Sequence, residues 1–353
     1  MRNVSNRFWK GRKVFITGHT GFKGSWLSFW LQEMGAHVTG YALDPPTQPN
    51  LYNLLKLKSK MKSVHGDVRD LNFLKKHVKG AEIIFHLAAQ PLVLESYKNP
   101  IETYATNVMG TINLLEACRE NKNLKAIVNV TTDKCYENRE NPEIAYKENE
   151  PMGGFDPYSN SKACSELVTD SYRKSFYGSG EKIGVATARA GNVIGGGDFA
   201  ADRLVPDCIR GVMKGEKIIV RNPDSTRPWQ HVLEPLAGYL MLAESLCKAP
   251  KEYSEGWNFG PKEKDAKSVI KIIDAFCRFW GNDARYEIKR NPEAPHEAGY
   301  LKLDSSKAQK KLLWQPRWNS ETAVRKTVEW YKAYLNKENL DIITAAQIKS
   351  YYG

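Results

Sequence analysis

The sequence predicts an α/β protein: a doubly wound parallel sheet with a smaller mixed α/β lobe toward the C-terminus. Three features predict it. Short apolar runs alternate with helical segments through the first half of the chain. A glycine-rich stretch, Gly18-His19-Thr20-Gly21-Phe22-Lys23-Gly24, follows the first run and opens the first helix. After Arg189 the alternation gives way to Gly-, Pro- and Trp-containing loops.

Val14-Phe15-Ile16 reads as a buried strand, and Ser25 to Met34, rich in Trp and Leu, as a helix. His37 to Leu43 is the next strand, and a short one ends near His65. Ile83 to Leu87 follows, then a helix containing Asn113 to Ala117. Ala126 to Thr131 and Ile183 to Ala188 continue the strands, with a helix opening at Tyr158 between them. Strands alternating with helices make a parallel sheet covered on both faces. Gly191 to Pro206 is loop-like, and Val232 to Lys248 reads as one more helix of the large lobe. The large lobe is expected over 1–190 and about 232–260, and the substrate lobe over about 191–231 and 261–353. The tail from Asn336 is expected as a peripheral helix, with Phe29-Trp30 and Trp330-Tyr331 in the core.

Sheets of this kind bind ligands at the carboxyl ends of their strands. The turn at Gly18, Thr20, Gly21, Phe22, Lys23 and Gly24 lets backbone approach a pyrophosphate at a helix N-terminus, which is the Rossmann arrangement for NAD. The acid that binds the adenine ribose should follow the second strand. Asp44 lies two residues beyond that place, which Ala42 holds. It reads equally as a turn residue before Pro45-Pro46, and no Arg stands here to favour NADP. Asp67-Val68 sits where a carboxylate could read the adenine edge, and Leu87-Ala88-Ala89 where small residues let backbone pass close to the cofactor.

Thr132-Asp133-Lys134 ends a strand, and Tyr158 and Lys162 lie four residues apart on one helical face. A protonated Lys beside a phenol lowers a pKa that is ordinarily about 10, giving a base for a sugar hydroxyl. Asp133 and Lys134 add a second acid/base pair, more than a simple alcohol dehydrogenase needs. The bland reading of Tyr158 and Lys162 is an ordinary helical pair.

The chain carries 52 Lys and Arg against 40 Asp and Glu, a net charge of +12, which suits anionic partners. The basic residues are spread out with no nucleic-acid motif, so no nucleic acid is expected. A dinucleotide and a nucleotide diphosphate sugar would use the same charge. The six cysteines form no CxxC site and the seven histidines show no ligand spacing, so no metal is expected. No apolar run is long enough for a membrane span, and the polar N-terminus lacks the core of a signal peptide. The expected location is cytoplasmic, with the thiols reduced.

Together these motifs resemble the extended short-chain dehydrogenase/reductase superfamily and, within it, the CDP-glucose 4,6-dehydratase family. The strings that carry the finer likeness run from Gly18 to Leu27, Gly40 to Thr47, Thr132 to Tyr136, Asp156 to Lys162, Arg189 to Asp198, Arg227 to Pro235 and Pro295 to Asp304. The resemblance implies that CDP-D-glucose becomes CDP-4-keto-6-deoxy-D-glucose, with NAD reduced and re-oxidised in one cycle. Tyr158 would take the C4 hydroxyl proton, Lys162 would assist it and hold the nicotinamide ribose, and Thr132 would align the sugar. Asp133 would be the acid at the C6 oxygen. Related dTDP-glucose and GDP-mannose dehydratases carry Glu where Lys134 stands. Lys134 is therefore either a neutral base at C5 or a charged group that stabilises the enolate. Asn192, Arg203 and Arg227 match positions near sugar and diphosphate, and His296, Glu297 and Tyr300 a loop over the nucleotide. The resemblance also implies a homodimer, or a homotetramer, pairing helices near 105–120 and 158–174. The alternatives are another nucleotide-sugar dehydratase, an epimerase, or a catalytically dead NAD-binding regulator. Asp133 counts against the epimerase, and Tyr158 with Lys162 against the dead site.

Overall fold

The computed structural model describes residues 2–178, 182–281, 284–290 and 298–352. Seven strands form one parallel sheet: β1 (Lys13–Thr17), β2 (His37–Ala42), β3 (Lys62–His65), β4 (Ile83–His86), β5 (Ala126–Val130), β6 (Gly184–Ala190) and β7 (Gly256–Phe259). Their order is β7-β6-β5-β4-β1-β2-β3. The chain leaves β1 toward β2 and β3, then crosses back to β4 on the other side. The crevice between β1 and β4 is therefore the switch point where such sheets take ligands.

The two-residue period of the strands splits the core. Val14 and Ile16 of β1, with Ile83, Phe85, Val128 and Ala188, face one side, where α1 (Phe22–Glu33) and α6 (Leu233–Lys248) pack. Phe15, Ile84, Ile127 and Val185 face the other, against α2 (Leu71–Val78), α3 (Gly110–Cys118) and α4 (Pro157–Phe176). Burial on both faces is why β4, β5 and β6 are buried end to end.

The smaller lobe is built from paired short strands. Val193–Ile194 pairs with Gln230–His231, Ile218–Val220 with Tyr286–Ile288, and Thr226–Arg227 with Lys267–Ser268. Helices α5 (Leu204–Lys214) and α7 (Val269–Trp280) complete it. Leu204 to Pro206 is thus the first turn of a helix, where the sequence reading expected loop. Pro206 is tolerated because its missing N–H is one that the first turn leaves unpaired anyway. Strand β7 escaped the sequence reading because its four residues include a polar Asn258, whose buried amide donates to the Tyr146 carbonyl at 2.9 Å.

The chain between β5 and α4 makes an excursion across the molecule. Tyr146 N–H donates to the Lys302 carbonyl at 3.0 Å, and Asp304 N–H returns to the Tyr146 carbonyl at 2.9 Å. At the C-terminus, α8 (Ser320–Leu335) precedes α9 (Leu340–Tyr352), which packs on α1. Trp30 is 1 % exposed and meets the Tyr351 ring edge-on at 6.2 Å and the Tyr352 ring at 5.5 Å. Phe29, Trp30, Trp330 and Tyr331 are all core.

Because α9 closes over Trp30, Trp30→Ala should cost about 3–5 kcal/mol of unfolding free energy, measured by chemical denaturation.

Candidate active site

The first βα turn is fixed by close backbone packing. Gly18 has φ +75°, and a Cβ there would lie 2.7 Å from the Ala88 nitrogen and 2.8 Å from the Leu87 carbonyl carbon. A Cβ at Gly24 would overlap the Gly18 carbonyl. Thr17 Oγ1 accepts from the Leu87 and Ala88 N–H groups at 3.2 Å each, tying the ends of β1 and β4 together, with Ala89 following. Thr20 donates to the Leu43 carbonyl at 3.0 Å. Gly21 caps α1 with no side-chain hydrogen bond, so the first N–H groups of that helix keep their donor capacity. A turn with bare glycines at 18, 21 and 24, at a helix N-terminus without a side-chain cap, fits the pyrophosphate of NAD.

Not every residue of the stretch faces this way. His19 is buried; its Nε2 lies 2.7 Å from Ser63 Oγ, its ring fills the space above Gly40, and burial pushes it down to about 4. Phe22 and Lys23 line a cleft running along the strand ends. Burial pushes Lys23 down to about 8, Arg203 and Lys162 add to this, and Asp133 opposes it.

Asp44 lies past the end of β2 with its side chain 89 % exposed, its Oδ2 3.5 Å from His65 Nε2. The Asp67 carboxylate is taken up by Arg69 Nε, at 3.0 and 2.9 Å, and Arg69 holds it below the usual range. Val68 is buried against the bare face of Gly110.

The cleft has a volume of about 550 Å³ and brings Thr132, Asp133, Lys134 and Tyr158 together with Asn192, Arg203 and Arg227. Thr132 caps a short 3₁₀ turn, Asp133–Cys135, accepting from Lys134 N–H at 3.3 Å and donating to Asp133 Oδ1 at 3.0 Å. Asp133 is 2 % exposed, and its Oδ2 is buried without a hydrogen-bond partner among the described residues. Burial pushes its carboxyl above the usual range, against Lys134, Thr132, Arg227 and Lys23.

Asp156 starts α4 by accepting from Ser159 N–H at 2.9 Å, with Pro157 in the first turn. That start presents Tyr158 to the cleft. Desolvation pushes its phenol up to about 12, and the groups drawing it back are Thr132 and Arg203. Lys162 is 5 % exposed, donates to the Val130 carbonyl at 3.2 Å and is pushed down to about 8 by burial. The four-residue spacing led to the expectation that Lys162 is what lowers the phenol. In the structure the Thr132 hydroxyl and Arg203 draw the phenol back, and the Lys162 ammonium hydrogen-bonds the end of β5.

Arg203 pairs with Asp198 at 2.9 Å. Arg227 is buried and donates to the Thr226 and Gly299 carbonyls at 3.1 and 3.2 Å. Tyr300 bridges to Thr226 beside the cleft without lining it. His296 and Glu297 lie outside the described residues. The sequence reading missed Asp198, Asp202, Asp207, Arg221 and Asn222, which also line the cleft. Asp198 closes the Gly195-Gly196-Gly197 run, which was a usable signal; the others sit on ordinary small-lobe elements and gave none.

The sequence model of the GDP-mannose 4,6 dehydratase family matches residues 15–327. The chain belongs to that family. Among its relatives, CDP-glucose 4,6-dehydratase of Salmonella typhimurium is 52% identical over 354 residues, covering 99% of this chain and 98% of the relative. The dTDP-glucose 4,6-dehydratase of Shigella flexneri is 26% identical, covering 92% and 94%. Among solved structures, UDP-glucuronic acid 4-epimerase from Bacillus cereus, in complex with UDP-glucuronic acid and NAD, superposes with a TM-score of 0.78 at 23% identity, covering 91% of this chain and 99% of that one. The dTDP-glucose 4,6-dehydratase from Streptomyces venezuelae gives 0.76 at 22%, covering 92% and 99%. The parallel sheet and its helices are those of the extended short-chain dehydrogenase/reductase fold that the GDP-mannose 4,6-dehydratase family shares.

Since the Gly18 carbonyl fills the place of a side chain at position 24, Gly24→Ala should weaken NAD binding at least about tenfold, or ~1.4 kcal/mol, by titration calorimetry.

Proposed function

We propose that the chain is an NAD-dependent CDP-glucose 4,6-dehydratase, a lyase that converts CDP-D-glucose to CDP-4-keto-6-deoxy-D-glucose and water. The nucleotide rests on the full-length 52% identity to the Salmonella enzyme. The chemistry rests on Asp133, a buried carboxyl with one oxygen unpartnered among the described residues, in the same cleft as Tyr158. A 4-epimerase has no use for an acid there; a dehydratase must protonate the departing C6 oxygen.

NAD, held at the Gly18–Gly24 turn, supplies a reversible two-electron acceptor for the C4 carbon. Tyr158 receives the C4 hydroxyl proton, and the Thr132 hydroxyl and Arg203 favour its ionised form. The C4 ketone acidifies C5. Asp133, kept protonated above the usual range by burial, delivers its proton to the C6 oxygen as water leaves. Lys134 is the group beside Asp133 able to take the C5 proton or to stabilise the enolate. Arg203 and Arg227 supply planar donors for the diphosphate, and the far end of the cleft, with Arg221 and Asn222, is available to the nucleoside.

Among the described residues no helix is long and apolar enough to cross a membrane. A homodimer through α4 and its neighbours is supported by exposed apolar side chains there: Ile101 at 85 %, Met109 at 50 % and Leu167 at 60 %. Leu167→Glu should convert the dimer to monomer in sedimentation velocity.

Incubation with CDP-, dTDP- and UDP-glucose and NAD, followed by mass spectrometry, tests the function. Loss of one water from CDP-glucose without net NADH is expected. Water loss from another nucleotide sugar alone overturns the substrate, and NADH accumulation without water loss overturns the reaction. Asp133→Asn should lower kcat about 10²–10⁴-fold. In the native enzyme kcat should fall as pH rises through the raised Asp133 pKa, because the proton donor is lost; the variant should lack that limb.

A further inference from the structure

A buried ion pair that the proposed chemistry does not use grips the catalytic turn from both sides. Glu166 lies one helical turn beyond Lys162 on the same face of α4 and is 4 % exposed. Its carboxylate accepts from the hydroxyl of Thr131, from Thr187 Oγ1 at 2.6 Å, and from Arg189 at 2.9 Å through Nε and 2.7 Å through Nη2. Arg189 Nη1 then donates to the Tyr136 hydroxyl at 2.7 Å and to the Glu148 carbonyl at 3.0 Å. Tyr136 also donates to Asn258 Oδ1 at 2.7 Å. Thr131 and Tyr136 immediately flank the Thr132–Cys135 turn. Both flanks are therefore fastened, directly or through Arg189, to the helix that carries Tyr158 and Lys162.

We propose that Glu166 is a positioning residue, whose pair with Arg189 sets the Thr132–Asp133 turn at its working distance from Tyr158 and Lys162. The inference rests on the dehydratase reading, in which those residues act together on one sugar. Thr132 donates to the Asp133 carboxyl and lines the cleft with Tyr158, so a turn that drifts moves both Thr132 and Asp133 away from the phenol. A displacement of about 1 Å at reacting groups costs on the order of 100-fold in rate.

The carboxylate is suited to this work because it stays charged. Burial alone would push it up, but Arg189, Thr131 and Thr187 hold it below the usual range. Its charge also acts on Lys162. Burial pushes that ammonium down, and Glu166 and Cys135 oppose this. The other groups near Lys162 are Tyr158 on its own helix, Lys23 on α1 and His86 at the end of β4, whose own burial pushes it down to about 3.

The test compares Thr131→Val, Thr131→Ser and Glu166→Gln with the native enzyme, using CDP-glucose turnover and thermal melting. Thr131→Val removes the one hydroxyl at nearly constant shape and changes no charge. It should lower kcat about 10- to 100-fold with KM within about twofold and the melting temperature lowered by only a few degrees; Thr131→Ser should keep native kcat. Glu166→Gln should lower kcat too. Native kcat in Thr131→Val and Glu166→Gln would overturn the proposal. If Glu166→Gln fails to fold, the Thr131 pair decides alone: kcat unchanged in Thr131→Val overturns it, and kcat lost there but kept in Thr131→Ser supports it. A native enzyme that does not dehydrate CDP-glucose sinks the substrate reading instead, and the comparison is then run on whichever nucleotide sugar is turned over.

Discussion

The Gly18 carbonyl occupies the space that a side chain at position 24 would need, and the arrangement of the site follows from that contact. It forces the chain to turn sharply off β1, starts α1 directly over the sheet, and brings the turn against Leu87 and Ala88 at the end of β4. The Thr17 hydroxyl fixes the same junction from below by accepting from two backbone N–H groups. Positions 18 and 24 are thereby closed to side chains, and the helix N-terminus is left open to an anion. Phe22 and Lys23, carried on the first turn of α1, are then obliged to look into the cleft where the chemistry takes place.

Charge is handled differently in the two layers of this cleft. In the layer facing the substrate, desolvation wins: Asp133 and Tyr158 are pushed up, Lys23 and Lys162 down, so each group sits closer to neutrality than it would in water. One layer below, Glu166 and Arg189 keep full charge because each has the other and a set of hydroxyl partners. Groups that exchange protons are left poised, while groups that hold the frame are locked.

Much of this was legible in the sequence because it depends on spacing along the chain. Short apolar runs alternate with helical segments. Glycine at 18 and 24 frames one turn, and the strand before Thr132 ends, and the helix carrying Tyr158 starts, at the carboxyl edge of the sheet, so their sharing a cleft follows from topology. What was not legible depends on tertiary partners. No local pattern shows that Lys162 reaches Val130, that the Tyr158 phenol answers to Thr132 and Arg203, or that His19 turns away from the phosphate turn to pack on Gly40. The exposed position of Asp44 is equally invisible, since two residues of offset past a strand end leave the direction of the chain undetermined. Glu166 could have been noticed as an acid one turn past Lys162, but its value lies in Thr131, Thr187 and Arg189, which two other strands bring to it.

The excursion between β5 and α4 has a consequence for how such a protein can change over generations. The residues that separate Asp133 from Tyr158 run out to pair with Lys302 and Asp304 and to anchor on Asn258 before returning. The substrate-facing half of the molecule is thus woven through the middle of the catalytic sequence rather than appended after it. A recombination that swapped only the C-terminal third for that of a relative would leave Tyr146 facing a foreign strand. New specificity in this fold is accordingly reached by substitution in place, residue by residue, more readily than by exchange of whole modules.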